Sequence, residues 1–318
     1  MNVAVVFPCD LWTKKMSFVR RDAVYALQKR PDVHVTVTGP GWMNWDDTLC
    51  MADNLDKEPN HFDAIWWYKP DRCIEPEKRA CPALVCYNES AWPDWKAFRE
   101  CKASNADVVV IHHQTDVEQF RPPLSVADGY QPRQLHWMAH AADCEFFAQH
   151  SLPWSERDID CLVTGVLSPE IYPLRCRMAA MVRDGRLPGV VHNHPGYRLA
   201  NLGACERQRE RYAKMLGRSK IALVCSSIHR YGLAKYVEAA AAGCCVAGDV
   251  PPDFALTLGP AMLVLDDLSD EEIADKVSVA LGYGRARDRA VACQQAARRN
   301  HSMRRYAENI ERILSGIA

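Results

Sequence analysis

What most limits the folds open to this chain is an alternation of short valine- and isoleucine-rich runs with longer stretches of helical periodicity. The apolar runs lie at residues 3–7, 34–38, 64–68, 83–87, 107–112 and 134–139, and again at 160–164, 189–192, 221–225, 244–247 and 261–264. Nearly continuous apolar runs of this length suit strands that are buried on both faces. Helices are predicted between them, at 18–29, 92–103, 174–184, 206–216, 233–242 and 269–281. Strands and helices in alternation give parallel sheets joined by crossover helices, the α/β class. No internal repeat or low-complexity tract interrupts the pattern.

A chain of 318 residues exceeds one small core and suits two α/β domains. Its 48% hydrophobic and 25% charged residues are ordinary globular values, which removes disorder as a reading. Residues 118–132 are polar and proline-bearing, and a second polar, proline-broken stretch at 151–157 precedes a fresh strand, so the linker is placed there. The expected organisation is an N-terminal domain over 1–152, a second domain over 153–300 and a closing helix over 301–318. In that last segment Tyr306, Ile310, Ile313 and Leu314 repeat at helical spacing, and the helix is expected to pack back toward the first domain.

Several function classes are disfavoured. The longest apolar stretches, 221–225 and 239–247, fall well short of the roughly 20 residues that cross a bilayer, so no membrane span is expected. The opening residues lack a basic region before the apolar run and read as a strand rather than a signal peptide, which predicts a cytoplasmic protein. Fourteen scattered cysteines without a Cys-x-x-Cys pair point to reduced thiols, with Cys244 and Cys245 buried for packing. A formal net charge of −1 offers no general attraction to nucleic acid.

Chemistry is concentrated in Ser226-Ser227-Ile228-His229-Arg230-Tyr231-Gly232-Leu233-Ala234-Lys235 and the residues that follow, as far as Gly243. A strand and the turn Gly248-Asp249-Val250-Pro251-Pro252 come next. A helix beginning near Gly232 presents free N–H groups and a positive dipole end to an anion, and Arg230 and Lys235 can add charge-assisted contacts to a diphosphate. Glu238 shares a helix face with Lys235, and a carboxylate there can accept hydrogen bonds from a ribose diol. On spacing alone the same pair reads rather as an exposed ion pair of little consequence. The turn from Gly165 to Pro169 offers backbone amides to phosphates or is a mere connector. Arg175 reaches the same phosphates or pairs with a surface carboxylate. Tyr197, in His194-Pro195-Gly196-Tyr197, packs near a base or packs without contact.

The run Lys235-Tyr236-Val237-Glu238-Ala239-Ala240-Ala241-Ala242-Gly243, with the strand and Gly248-Asp249 after it, resembles the nucleotide-sugar motif of GT-B glycosyltransferases. The likeness is to the branch that includes CgeB-like spore-maturation proteins and other family-1-type transferases. Residues 157–167, 172–175, 212–223 and 136–147 resemble further segments of the same group in the same order, so the likeness covers most of 133–317. It implies two Rossmann-like domains facing a cleft, with the C-terminal one holding the donor and Glu238 on its ribose. It also implies a hexosyl- or pentosyltransferase that takes a UDP- or GDP-sugar as co-substrate, with no other cofactor, no metal and no obligate protein partner. The acceptor is a hydroxyl-bearing glycan, small molecule or, less favoured, a modified DNA base. Many retaining members carry a second glutamate eight positions earlier, where this chain has Arg230. Nucleotide-sugar epimerisation and a non-catalytic scaffold or coat-associated role remain alternatives on the same fold.

Transfer with inversion requires a base for the acceptor hydroxyl and stabilisation of the departing diphosphate. Three candidate bases follow strands of the first half: Asp10, whose other role is to cap a turn, Glu89, and His113 within His112-His113-Gln114-Thr115-Asp116. Neither His112-His113 nor His192-Asn193-His194 has the spacing of a zinc site. Asp158-Ile159-Asp160 has a metal–diphosphate form but leads into a strand, where a solvated pair is expected.

Overall fold

A computed structural model describes residues 1–14, 18–57, 61–68, 81–87, 106–117, 134–196 and 198–318. The chain divides into two compact units, one of Met1–Ala139, Leu199–Leu202 and Arg304–Ala318, the other of His140–Arg198 and Gly203–Met303.

In the first unit, β1 (Asn2–Val6), β2 (His34–Thr38), β3 (Ala64–Tyr68), β4 (Ala83–Tyr87), β5 (Val108–Ile111) and β6 (Gln134–Trp137) form a parallel sheet in the order β2-β1-β3-β4-β5-β6. Every residue of β3 and β5 is buried, as expected of central parallel strands covered on both faces, whereas the edge strands β2 and β6 are largely half-exposed. The pleat sends Ala4, Val6, Ile65, Trp67, Val109 and Ile111 into one core layer with Met51 and Leu55. The last helix, Met303–Ser315, buries Ala307, Ile310 and Leu314. It is joined to this unit by an Arg30–Glu311 ion pair at 2.6 Å and by Tyr306, whose hydroxyl lies 3.3 Å from His112 Nε2.

In the second unit, β7 (Ile159–Thr164), β8 (Gly189–His192), β9 (Ser219–Leu223), β10 (Cys245–Gly248) and β11 (Leu263–Val264) are parallel in the order β11-β10-β9-β7-β8. Numbered from its own first strand and read from the β8 edge, this is 2-1-3-4-5, the order in which the first sheet also begins. Pro173 opens the helix Pro173–Arg183, and a capping box of Ser269 and Glu272 opens Asp270–Gly282. Within this unit Arg157 ties residues 151–157 to the sheet and its helices by donating to the carbonyls of Leu152, Ser219, Ala242 and Gly243.

Two departures from the sequence expectation bear on the second unit's sheet. The strand foreseen at 261–264 is shortened to Leu263–Val264 because Gly259–Ala261, with Pro260, forms a 3-10 turn. A sixteen-residue helix, Arg285–Asn300, was not foreseen, because its buried stripe is Ala286, Ala290, Cys293 and Ala297, small side chains among arginines and glutamines. Those small residues let it lie close over β10 and the helix Ala234–Ala241, where Gln294 donates to the Ala241 carbonyl at 3.1 Å. The helix expected at 92–103 lies outside the described residues.

Candidate functional site

In a 2-1-3-4-5 sheet, the connections leave the first and third strands toward opposite faces, opening a crevice beyond their carboxyl ends. In the second unit that crevice lies between β7 and β9. The residue directly after β7 is Gly165, at φ +111, a conformation that strains any side-chain-bearing residue. A Cβ built there would stand 2.8 Å from Arg175 Nη1 and 2.9 Å from Lys235 Cε. Three positions far apart in sequence thus meet at one spot, and the missing side chain leaves the two cations room.

Arg175 is 2% exposed. It comes from the first turn of Pro173–Arg183 and donates to the carbonyls of Val166 at 3.1 Å and Cys225 at 3.3 Å, each two residues past the end of its strand, β7 or β9. Its guanidinium lies 4.0 Å from the centroid of the Tyr172 ring, and its buried Nε has no partner among the described residues. Backbone carbonyls therefore hold this cation, and among the described residues no carboxylate pairs with it.

Lys235 and Glu238 both stand on Ala234–Ala241, and the structure buries the glutamate rather than leaving an exposed pair. Glu238 accepts from the Tyr212 hydroxyl at 3.0 Å, and Lys235 Nζ lies 4.8 Å from the centroid of the same ring. Burial pushes the Lys235 ammonium down to about 8, with Glu238 opposing and Arg175 reinforcing that fall. Burial raises the Glu238 carboxyl, against the pull of Lys235, the Tyr212 hydrogen bond and Arg209. At the end of β8 and just beyond it, His192 and His194 are both held below the ordinary imidazole range, first by burial and then by the nearby cations, Lys235 among them. An anion entering this crevice meets the cations Arg175 and Lys235, with the Glu238 carboxyl beside Lys235.

Carboxylates from the loop after β10 fix the surrounding backbone. Asp249 accepts from Ser226 N and from the Tyr236 hydroxyl, each at 2.8 Å, and also binds the Ser226 hydroxyl. Asp253 accepts from Gly232 N at 2.6 Å, so that donor is already used and the helix begins two residues later, at Ala234. Arg230, at φ 57, is not drawn into the cluster: its half-exposed guanidinium binds Asp266 at 3.3 Å and the Val250 carbonyl at 3.0 Å.

Of the candidate bases in the first unit, Asp10 is exposed in the first turn of Cys9–Lys14, while His113 is buried at 3% exposure. Glu89, like Tyr197, lies outside the described residues. Asp158 is paired with Arg218, and Asp160 with Lys220 at 2.7 Å, at the amino end of β7 and so away from the crevice. Among the described residues no cluster of three or more metal-ligating side chains occurs.

Solved structures of similar architecture align over nearly the full length of the chain. A glycosyltransferase from Rickettsia africae superposes with a TM-score of 0.61 at 11% identity, over 99% of this chain and 98% of that one. Sucrose-phosphate synthase from Thermosynechococcus elongatus gives 0.59 at 14% identity, over 99% and 98%. HepE of Anabaena, solved with UDP-glucose, gives 0.63 at 10% identity, over 99% and 100%. The chain has the GT-B fold. No family model and no curated protein matches it by sequence.

Within the GT-B fold, the residues around the crevice that sequence reasoning passed over are Tyr212, His192, Arg209 and Asp253. One signal was available for two of them. Arg209 and Tyr212 fall in the buried stripe of Leu202–Gly217 with Cys205, Ala213 and Leu216, and an arginine within an apolar stripe marks a face turned toward charge.

Proposed function

We propose that this protein is a glycosyltransferase that moves a sugar from a UDP- or GDP-sugar to a hydroxyl-bearing acceptor. The observation that carries this reading is the convergence of Arg175 and Lys235 on Gly165, with Glu238 alongside, at the switch point of the second sheet. Diphosphate oxygens fit the two cations, and the ribose diol fits the Glu238 carboxylate. UDP-glucose in HepE, a protein of the same fold, agrees with a donor of this class.

In the reaction, the bond between the sugar's anomeric carbon and the diphosphate oxygen breaks while a bond from the acceptor oxygen to that carbon forms. Nucleoside diphosphate leaves with the bonding electrons, and Arg175 and Lys235 neutralise the charge that grows on it. The acceptor proton passes to a base, for which Asp10, Glu89 and His113 are the candidates. Because two cations face the leaving group, transfer is proposed to proceed without a metal.

The test incubates the protein with UDP- and GDP-sugars and a panel of glycan and small-molecule acceptors, with and without EDTA. Nucleoside diphosphate released mole for mole with glycosylated acceptor, and undiminished by EDTA, is the expected result. Recovery of the donor as its epimer, or no donor consumption with any acceptor, sinks the reading.

A further inference from the structure

Tyr212 touches both residues that grip the proposed donor. It projects from Leu202–Gly217 and is 8% exposed. Its hydroxyl donates to one Glu238 oxygen, Oε2, at 3.0 Å, and its ring faces Lys235 Nζ at 4.8 Å. Phe147, 2% exposed, braces the ring edge-on at 6.2 Å between centroids and an interplanar angle of 88°. The hydroxyl stays protonated, since burial and the adjacent Glu238 push it well above the usual tyrosine range, so toward Glu238 it acts as a donor.

This arrangement decides two things about Glu238. With Oε2 committed to Tyr212, the carboxylate is fixed in rotation and Oε1 is left to accept from a ligand. The same hydrogen bond favours the ionised, accepting form, against the burial that raises the carboxyl. A glutamic acid that kept its proton would offer a donor where a ribose diol needs an acceptor. We infer that Tyr212 is the positioning residue for Glu238 and thereby sets a preference for nucleotides that carry a free 2′,3′-diol. This rests on the reading of Glu238 as the ribose ligand.

The experiment compares wild type with Tyr212→Phe, which keeps the ring and its contact with Lys235. The probes are UDP, GDP and ADP, each beside its 2′,3′-dideoxy counterpart, titrated by calorimetry. Wild type should favour the diol about hundredfold or more, since a site left with an unpaired buried polar group rejects the analogue that lacks the hydroxyl. Tyr212→Phe should cut that preference by about tenfold, the loss expected for one hydrogen bond to a charged group, and leave dideoxynucleotide affinity unchanged. The lost preference should return in part as pH rises toward about 8, because Glu238 then loses its proton while Lys235 on its own helix and Arg209 on the neighbouring one still face it as cations.

Equal weakening of diol and dideoxy ligands by Tyr212→Phe overturns the inference and reduces Tyr212 to packing. An unchanged preference in Tyr212→Phe, beside a preference lost in Glu238→Gln, overturns the role of Tyr212 alone. A wild type that binds nucleotides without preference for the diol overturns the reading of Glu238 as well.

Discussion

The two sheets begin in one strand order, and each therefore has a crevice beyond its first and third strands, yet the two crevices are finished in opposite ways. After β1 comes Phe7, 3% exposed, whose N–H continues the strand pairing to the Thr38 carbonyl at 2.8 Å. Its ring stacks on Tyr68 at 4.0 Å with the planes 5° apart, Trp12 meets it edge-on at 5.2 Å, and Arg20 covers the far ring at 4.1 Å from the Tyr68 centroid. After β7 comes Gly165, and the space is bounded by Arg175 and Lys235 instead. One residue type at one topological position separates an aromatic plug from a crevice bounded by two cations. Topology supplies the place for a ligand, and the residue after the first strand decides whether that place is filled by the chain itself.

The comparison can be broken from either side. The largest effect is expected from Phe7→Ala, which removes a stacked ring from a packed core and should cost about 4 kcal/mol in chemical denaturation of the protein, without creating nucleotide affinity. A loss below about 1 kcal/mol would mean that the plug does not hold the first unit together. Next comes Gly165→Val, which combines a left-handed backbone with a side chain directed at Arg175 and Lys235. Nucleoside diphosphate affinity should fall about hundredfold, with a destabilisation of about 2 kcal/mol. Affinity retained in that variant would place the diphosphate elsewhere.

The smallest effect is expected from pH. Raising it through about 8 discharges Lys235 in the free protein, so diphosphate affinity should decline by up to about tenfold across that range, as read by calorimetry. Stability should move the other way. The unfolded chain keeps the lysine proton to a higher pH than the folded one, so between about 8 and the ordinary lysine value the unfolded state binds more protons. From this group, stability therefore rises with pH while affinity falls. An affinity that is flat from neutrality to well above pH 8 contradicts the placement of Lys235 against the diphosphate.

Much of the fold could be read in the sequence, because parallel strands buried on both faces write themselves as plain apolar runs. β3 and β5 coincide with such runs almost residue for residue. Arg285–Asn300 did not, since alanines and one cysteine bury its face and polar residues dominate its composition. In the candidate site, the glycine after β7 and the Lys235–Glu238 spacing were visible as letters. Their burial was not, because the groups around them arrive from other elements. Arg175 shows this most clearly: its partners are carbonyls of Val166 and Cys225, which no sequence pattern marks as acceptors. Tyr212 lies 26 residues before Glu238, and only the packing of two helices brings its hydroxyl to the carboxylate.

The second sheet's switch point is proposed to bind a nucleoside diphosphate through Glu238 and the cations beside Gly165. That binding is tested most directly by calorimetric titration of UDP, GDP, ADP and TDP into wild type and Glu238→Ala. Wild type is expected to bind one of these selectively, and the substitution to weaken it at least about tenfold, the loss of hydrogen bonds to a charged group. No binding of any nucleotide, or binding that Glu238→Ala leaves untouched, would contradict it.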